Sequence, residues 1–216
     1  MIILDHEQGS PEWLAARLGK PSASMFSKLI TQTGKPSTSA DGYINELIAE
    51  RLTGHSEPFH VTEWMERGTA LEPEARESYE FISGNDVIET GFILDTSWEF
   101  GCSPDGLIKE EGGLEIKCPA PKTMVSYLRD PQVGVKKYWQ QIQGCMWITK
   151  RDWWDFFAYH PEMPHVLVRV ERDDDYIAKL SAEVDKAVAE ILNQVEKFLV
   201  YLLWLLSTVI CEITCK

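Results

Sequence analysis

The stretch Gly101-Cys102-Ser103-Pro104-Asp105-Gly106-Leu107-Ile108-Lys109-Glu110-Glu111-Gly112-Gly113-Leu114-Glu115-Ile116-Lys117-Cys118 decides the fold. Residues 100–102 and 106–109 have strand composition, 110–113 form a turn, and 114–118 are the returning strand. Side chains alternate across a strand, so Glu115 and Lys117 share one face while Leu114, Ile116 and Cys118 take the other. If the turn pairs the strands, Asp105 reaches the same edge. Two carboxylates and one ammonium then converge, an arrangement suited to holding a divalent cation such as Mg²⁺ beside an attacking water.

Pro104-Asp105 followed by Glu115-Ile116-Lys117 spells the PD-(D/E)xK pattern of metal-dependent nucleases. The same letters also suit an ordinary hairpin with a charged, wet face, so the rest of the chain has to decide. Hydrolysis with two metal ions calls for about three acidic ligands, and Glu72 in Gly68-Thr-Ala-Leu-Glu72 is a candidate third. Its competing reading is a solvated carboxylate among Glu66, Glu74 and Glu77. Tyr138-Trp139-Gln140-Gln141-Ile142-Gln143 offers amide groups that can reach a polar site. Arg17, ahead of Ser22 and Ser24 at a helix start, fits an anion site, to which Ser103 adds a hydroxyl. Plain helix capping by Ser22 is the alternative there.

The bulk properties set bounds. The 216 residues, 44% apolar and 25% charged, suit one well-packed domain with an appended helical layer. Met1–Leu4 gives way at once to Asp5, His6 and Glu7, so no signal peptide is expected. The five cysteines (102, 118, 145, 211, 215) are odd in number and lack a C-x-x-C pair, which points to a reducing cytoplasm. The five histidines (6, 55, 60, 160, 165) have no metal-ligand spacing, which argues against zinc hydrolysis. A net charge of −13 is unusual for a protein that tracks DNA. Local basic runs offset it: Arg17, Lys20, Lys28 and Lys35 near the start, and Lys117, Lys122, Arg129, Lys136 and Lys137 around the motif.

Along the chain, the pattern predicts a helix over 10–18 capped by Ser10, with Trp13, Leu14 and Leu18 as its apolar stripe. A second helix is expected from 22–24 onward and a polar loop over 31–41. A third, capped by Asp41, should run to Leu52, and a fourth over 62–83 is interrupted at Pro73. Strands follow over 86–118, helices over 122–128 and 131–149, strands over 152–160 and 166–171, and a helix over 173–197. With no repeats or linker, residues 1–197 read as one α/β domain with helices on both sheet faces.

Taken together, these stretches resemble lambda exonuclease and the YqaJ-type viral recombinase nucleases. The likeness rests on Trp13-Leu-Ala-Ala-Arg17-Leu-Gly, Ser22-Ala-Ser24, Gly68…Glu72, Cys102-Ser-Pro-Asp-Gly-Leu107, Leu114-Glu-Ile-Lys-Cys-Pro119 and Tyr138…Gln141…Met146-Trp147, in the family's order. The resemblance implies a restriction-endonuclease-like central mixed sheet flanked by helices. It implies two Mg²⁺ ions, replaceable by Mn²⁺, held by Glu72, Asp105, Glu115 and the Ile116 carbonyl. Lys117 and Gln141 then attend the attacking water, and Arg17, Ser24 and Ser103 hold the 5′-terminal phosphate. Met65 stands where the family places a wedge against the terminal base pair. The implied activity is processive 5′→3′ digestion of linear double-stranded DNA, releasing mononucleotides and leaving a 3′ overhang for a single-strand annealing protein. The implied assembly is a homotrimeric ring in the cytoplasm of a bacterial host. A PD-(D/E)xK restriction or repair endonuclease and a non-catalytic recombination module are the alternatives. The apolar tail, Phe198-Leu-Val-Tyr-Leu-Leu-Trp-Leu-Leu-Ser-Thr-Val-Ile-Cys211, departs from the family pattern. It is shorter than the ~20 residues that span a bilayer, so a buried or partner-facing helix is expected there rather than a membrane segment.

Overall fold

The computed structural model describes residues 1–57 and 62–214, and of 205–214 the backbone alone. His60 and the final residues of the tail, Cys215 among them, lie outside the described residues. In chain order the elements are β1 (Ile2–Leu4), α1 (Pro11–Arg17), a 3-10 helix (Ala23–Lys28), α2 (Ala40–Thr53), α3 (Glu63–Ser83), β2 (Phe92–Leu94), β3 (Gly101–Cys102), β4 (Gly106–Ile108) and β5 (Gly112–Lys117). Then come α4 (Pro121–Arg129), α5 (Pro131–Lys137), α6 (Trp139–Thr149), β6 (Trp153–Ala158), β7 (Val166–Glu171) and α7 (Asp174–Thr214).

The motif forms a hairpin as predicted, but its turn is 109–111 and the returning strand begins at Gly112, not at 114. β4 pairs antiparallel with β5, β6 joins β5 in parallel, and β7 returns antiparallel to β6, giving a mixed sheet in the order β4-β5-β6-β7. A smaller antiparallel sheet, β1-β2-β3, adjoins it. Glycine is required in the hairpin because a Cβ on Gly113 would sit 2.2 Å from the Trp154 ring.

Alternation along the strands sorts the core into two layers. Leu114, Ile116 and Phe157 pack beneath Ala75 and Tyr79 of α3. On the other face, Trp154 and Phe156 pack into the main core with the 3-10 helix, α2, α4, α6 and α7. Burying these side chains supplies most of the folding free energy, at roughly 25 cal/mol per Å² of apolar surface.

Several boundaries differ from the expectations. Ser10 does cap α1, accepting from the Trp13 amide at 3.2 Å, but α1 buries none of its residues and Leu14 is exposed. The segment after Ser22 is a six-residue 3-10 helix. Ser39, not Asp41, is the N-cap residue of α2, and it makes no side-chain cap bond. α3 runs through Pro73 unbroken; Pro73 faces solvent. Residues 131–149 divide at Tyr138 into α5 and α6. The final helix continues without a break through the apolar tail, where exposure ranges from 43% at Phe198 to 66% at Leu203. Within one chain, residues 198–204 are therefore not buried. Among the described residues, no helix is long and apolar enough to cross a membrane.

Candidate active site

The site forms where β5 outruns its neighbour. β4 covers β5 only as far as the Gly106–Leu114 pair, so the edge of β5 at Glu115–Lys117 is open on that side. Asp105, one residue before β4, turns into this gap and accepts the Ile116 amide on Oδ2 at 2.6 Å. In an extended strand the N–H and C=O of one residue point to the same edge, so the Ile116 carbonyl also faces the gap.

Groups from both layers converge on that edge. Glu115 and Lys117 form a direct ion pair, and Lys117 Nζ stands 3.9 Å from Asp105. Gln141 of α6 donates its amide to Glu115 Oε2 at 2.8 Å, fixing the carboxylate from the main-core side. The other two glutamines do different work. Gln140 donates to the Ile30 carbonyl, while Gln143 bridges Glu171 and Asp173. Glu72 enters from α3 on the stripe Glu72, Ala75, Arg76, Tyr79, whose apolar members are buried against the sheet. It shares a cavity of about 720 Å³ with Asp105, Arg76 and Trp13. Its carboxylate is engaged by Arg76 at 3.0 Å, and Arg76 also holds Glu89 at 2.8 Å.

The electrostatics are those of an acid cluster short of positive charge. Glu115 is fully buried, and desolvation pushes its carboxyl up to about 7, with Asp105 and Glu72 adding to the rise and Lys117 opposing it. Burial likewise raises Asp105 against the pull of Lys117. Glu72 is raised by burial and then by Asp105. Burial alone would lower the Lys117 ammonium, but Glu115 and Asp105 more than offset that, so it stays charged. Lys117, with Arg76 shared between Glu72 and Glu89, leaves the acids short of positive charge that a divalent ion would supply, and carboxylate and carbonyl oxygens are the donors Mg²⁺ prefers. The donor set therefore fits the metal. Among the described residues, no three acidic, histidine or cysteine side chains already surround a common point; Glu72 is turned toward Arg76.

On the other side of Pro104 lies a cluster of opposite character. The Arg17 guanidinium donates to Ser103 and Ser22, each at 3.4 Å, and Ser22 and Ser24 stand 3.2 Å apart. Trp13 donates its indole N–H to Ser103 at 3.1 Å and lies 4.0 Å beneath the guanidinium. Ser22 thus turns its hydroxyl to Arg17 instead of capping a helix. Burial lowers the Arg17 pKa, opposed by Tyr43, Cys102 and Glu50. Among the described residues no carboxylate pairs with Arg17, so a largely buried cation faces hydroxyls and aromatic rings, which suits an anion. Met65 lies two turns before Glu72 on α3 and is 44% exposed.

The sequence reading passed over Arg76, although it stands four residues after Glu72 on the same face. It also missed the network in which buried Asp155 receives Tyr79 at 2.7 Å and Arg169 through two bonds at 2.9 Å. That network ties α3 to β6, and no local pattern announces it.

Comparison with known proteins gives a consistent picture. The sequence pattern of the YqaJ-like viral recombinase domain matches residues 12–152. The structure is similar to that of an alkaline exonuclease, LHK-Exo, from Laribacter hongkongensis. Identity is 37% over 91% of this chain and 100% of that one, with a TM-score of 0.82. The LHK-Exo complex with dAMP is similar at 36% identity, with a TM-score of 0.81 over the same shares. A phage related exonuclease from Haemophilus somnus 129PT shares the fold at 19% identity and a TM-score of 0.68, covering 83% of this chain and 96% of that one. No curated protein matches the chain.

Proposed function

Because the chain belongs to the YqaJ-like viral recombinase family, we propose that it is a Mg²⁺-dependent exonuclease. In this reading it digests linear double-stranded DNA from the 5′ end, one nucleotide at a time. The observation that carries the reading is the direct covalent link between the two clusters: Ser103 belongs to the cationic pocket, and Asp105, two residues on, to the acidic one. An enzyme that grips a terminal phosphate at a fixed step from its hydrolytic centre cuts a fixed distance from the end.

The residues divide the work accordingly. Arg17, with Ser22, Ser24 and Ser103, holds the 5′-phosphate. Asp105, Glu115, Glu72 and the Ile116 carbonyl would hold the metal ions. When bound, such ions lower the pKa of water and neutralise charge on the phosphate and the departing oxygen. Lys117 orients the attacking water and offsets charge building on the phosphoryl oxygens. Gln141 keeps Glu115 in its rotamer.

Water oxygen joins phosphorus and the bond from phosphorus to the terminal nucleotide's O3′ breaks, so that O3′ leaves with a proton. The released product is a 5′-mononucleotide, the class of molecule to which dAMP in the LHK-Exo complex belongs. The strand that remains carries a new 5′-phosphate. Each cut thus regenerates the ligand of the Arg17 pocket, a physical basis for processive digestion. In the same reading Met65 leans on the terminal base pair, and the 3′ overhang passes to a single-strand annealing protein. Three copies of the 1–197 domain form a ring in the bacterial cytoplasm, with 198–216 as an appendage.

The test is incubation of linear and covalently closed circular duplex with Mg²⁺ or with chelator. Loss of the linear form alone, and only with Mg²⁺, is expected. Cutting of the closed circle would instead favour an endonuclease.

A further inference from the structure

Residues 116–151 hold seven of the chain's 21 basic residues and one of its 34 acidic ones, Asp130. In a chain of net charge −13 this is a concentrated reversal of sign, and four of the seven cations lie on two helices. α4 buries Met124 and Tyr127 and turns Lys122 and Arg129 outward. These two lie seven residues apart on one face, about 10 Å along the axis. α5 buries Gly134 and Val135 and exposes Lys136 and Lys137 at its end. Cations in a last turn also suit the helix dipole. That accounts for where Arg129, Lys136 and Lys137 sit on their helices, but not for the lack of acids around them. Among the described residues, none of the four makes an ion pair, in contrast to Lys28, Arg51, Arg76 and Arg169.

The patch is continuous with the active site. Lys117 Nζ lies 5.0 Å from the Tyr138 ring and Lys137 Nζ 5.3 Å from it, so the aromatic ring joins the catalytic ammonium to the end of α5. Four cations without an ion pair that lie beside a phosphodiester-cleaving centre and continue over an adjoining helical face match a line of phosphates by charge and by placement.

We propose that the outward face of α4 and α5, through Lys122, Arg129, Lys136 and Lys137, carries the phosphate backbone of the duplex ahead of the cut. The proposal rests on the exonuclease reading and adds the path of the DNA. It also explains how a strongly acidic protein holds a polyanion: acid elsewhere on the surface repels the duplex, and this face receives it.

The experiment measures anisotropy of a labelled, 5′-phosphorylated 20-base-pair duplex in chelator over a salt series. It compares the wild type with the quadruple variant Lys122→Gln, Arg129→Gln, Lys136→Gln, Lys137→Gln. A control carries Lys109→Gln, Lys150→Gln, Lys186→Gln and Lys197→Gln, the same change in net charge. Each lost phosphate contact reduces the slope of log Kd against log salt by about 0.9, so a reduction of about two or more is expected for the first variant and less than half of that for the control. Cleavage of a 5′-phosphorylated dinucleotide, too short to reach the patch, is expected to stay within about twofold of wild type, showing the centre intact. Equal slopes for variant and wild type, or an equal drop in the control, would overturn the proposal. The face would then be left for an acidic protein surface. A wild type that neither binds nor digests duplex overturns the exonuclease reading along with it.

Discussion

Two polar clusters flank Pro104, and they are built in opposite ways. The cluster after it sets Asp105 and Glu115 around the Lys117 ammonium, with Glu72 nearby on Arg76, in a gap where β5 has lost its neighbour on one side. The cluster before it surrounds one guanidinium with hydroxyls and an indole, and among the described residues no carboxylate forms an ion pair with it. The first lacks positive charge and the second lacks negative charge. In the proposed reading a divalent ion completes one, and a terminal phosphate completes the other. On that reading, the contrast teaches that hydrolysis and end recognition would be separable, although two residues of chain join them.

If that division holds, changes in the acidic cluster remove chemistry and leave end binding intact. Asp105→Asn or Glu115→Gln is expected to lower the digestion rate by about 10³-fold or more, in line with losing a central charged group of a preorganised site. Binding of a 5′-phosphorylated duplex, measured by anisotropy, should change little, and the oligomeric state by size-exclusion should not change. A mutant that digests normally with Mg²⁺ would remove the acidic cluster from the chemistry.

The cationic cluster should behave in the converse way. Arg17→Ala is expected to slow digestion of 5′-phosphorylated ends by about 10- to 100-fold, the range for a lost charge-assisted pair. Digestion of 5′-hydroxyl ends should be nearly unaffected, so the preference for phosphorylated ends narrows. Equal loss on both kinds of end would contradict a phosphate pocket. Gln141→Ala, which only frees Glu115 from its hydrogen bond, is expected to cost about tenfold in rate with DNA affinity unchanged.

The smallest expected effect concerns stability. Glu115, raised to about 7, binds its proton more tightly in the metal-free fold than in the unfolded chain. The metal-free protein therefore loses stability as pH rises from the ordinary carboxylate range through about 7. A bound divalent ion reverses this by favouring the carboxylates. Mg²⁺ should raise Tm by a few degrees and more at pH 8 than at pH 6, with the difference absent in Glu115→Gln. A rise independent of pH would disconnect Glu115 from the metal.

Much of this was legible in the chain. The alternation that puts Glu115 and Lys117 on one face is a property of any strand, and a hairpin was legible, although its turn falls at 109–111 and Gly112 and Gly113 lie in β5. Glu72 was legible too, on a stripe with Ala75 and Tyr79 that points inward, but the neighbouring Glu66, Glu74 and Glu77 obscured it. Helix ends were less readable. Asp41 has the chemistry of a cap, yet Ser39 occupies the position. Ser22 has the same chemistry, yet its hydroxyl is taken by Arg17 and Ser24. Contacts such as Tyr79 to Asp155 join residues far apart in the chain, and no short pattern encodes them. The apolar run at 198–204 reads as core, but along α7 these residues stay between 43% and 66% exposed.

The most direct test of the account is the order in which label leaves a linear duplex. One strand carries a label on its 5′-terminal nucleotide and, in a separate preparation, on its 3′-terminal nucleotide, and both are digested with Mg²⁺. The account predicts that the 5′ label appears first and as a mononucleotide, with the 3′ label released only after the strand has been consumed. Early release of the 3′ label, or of oligonucleotides from either end, would contradict it.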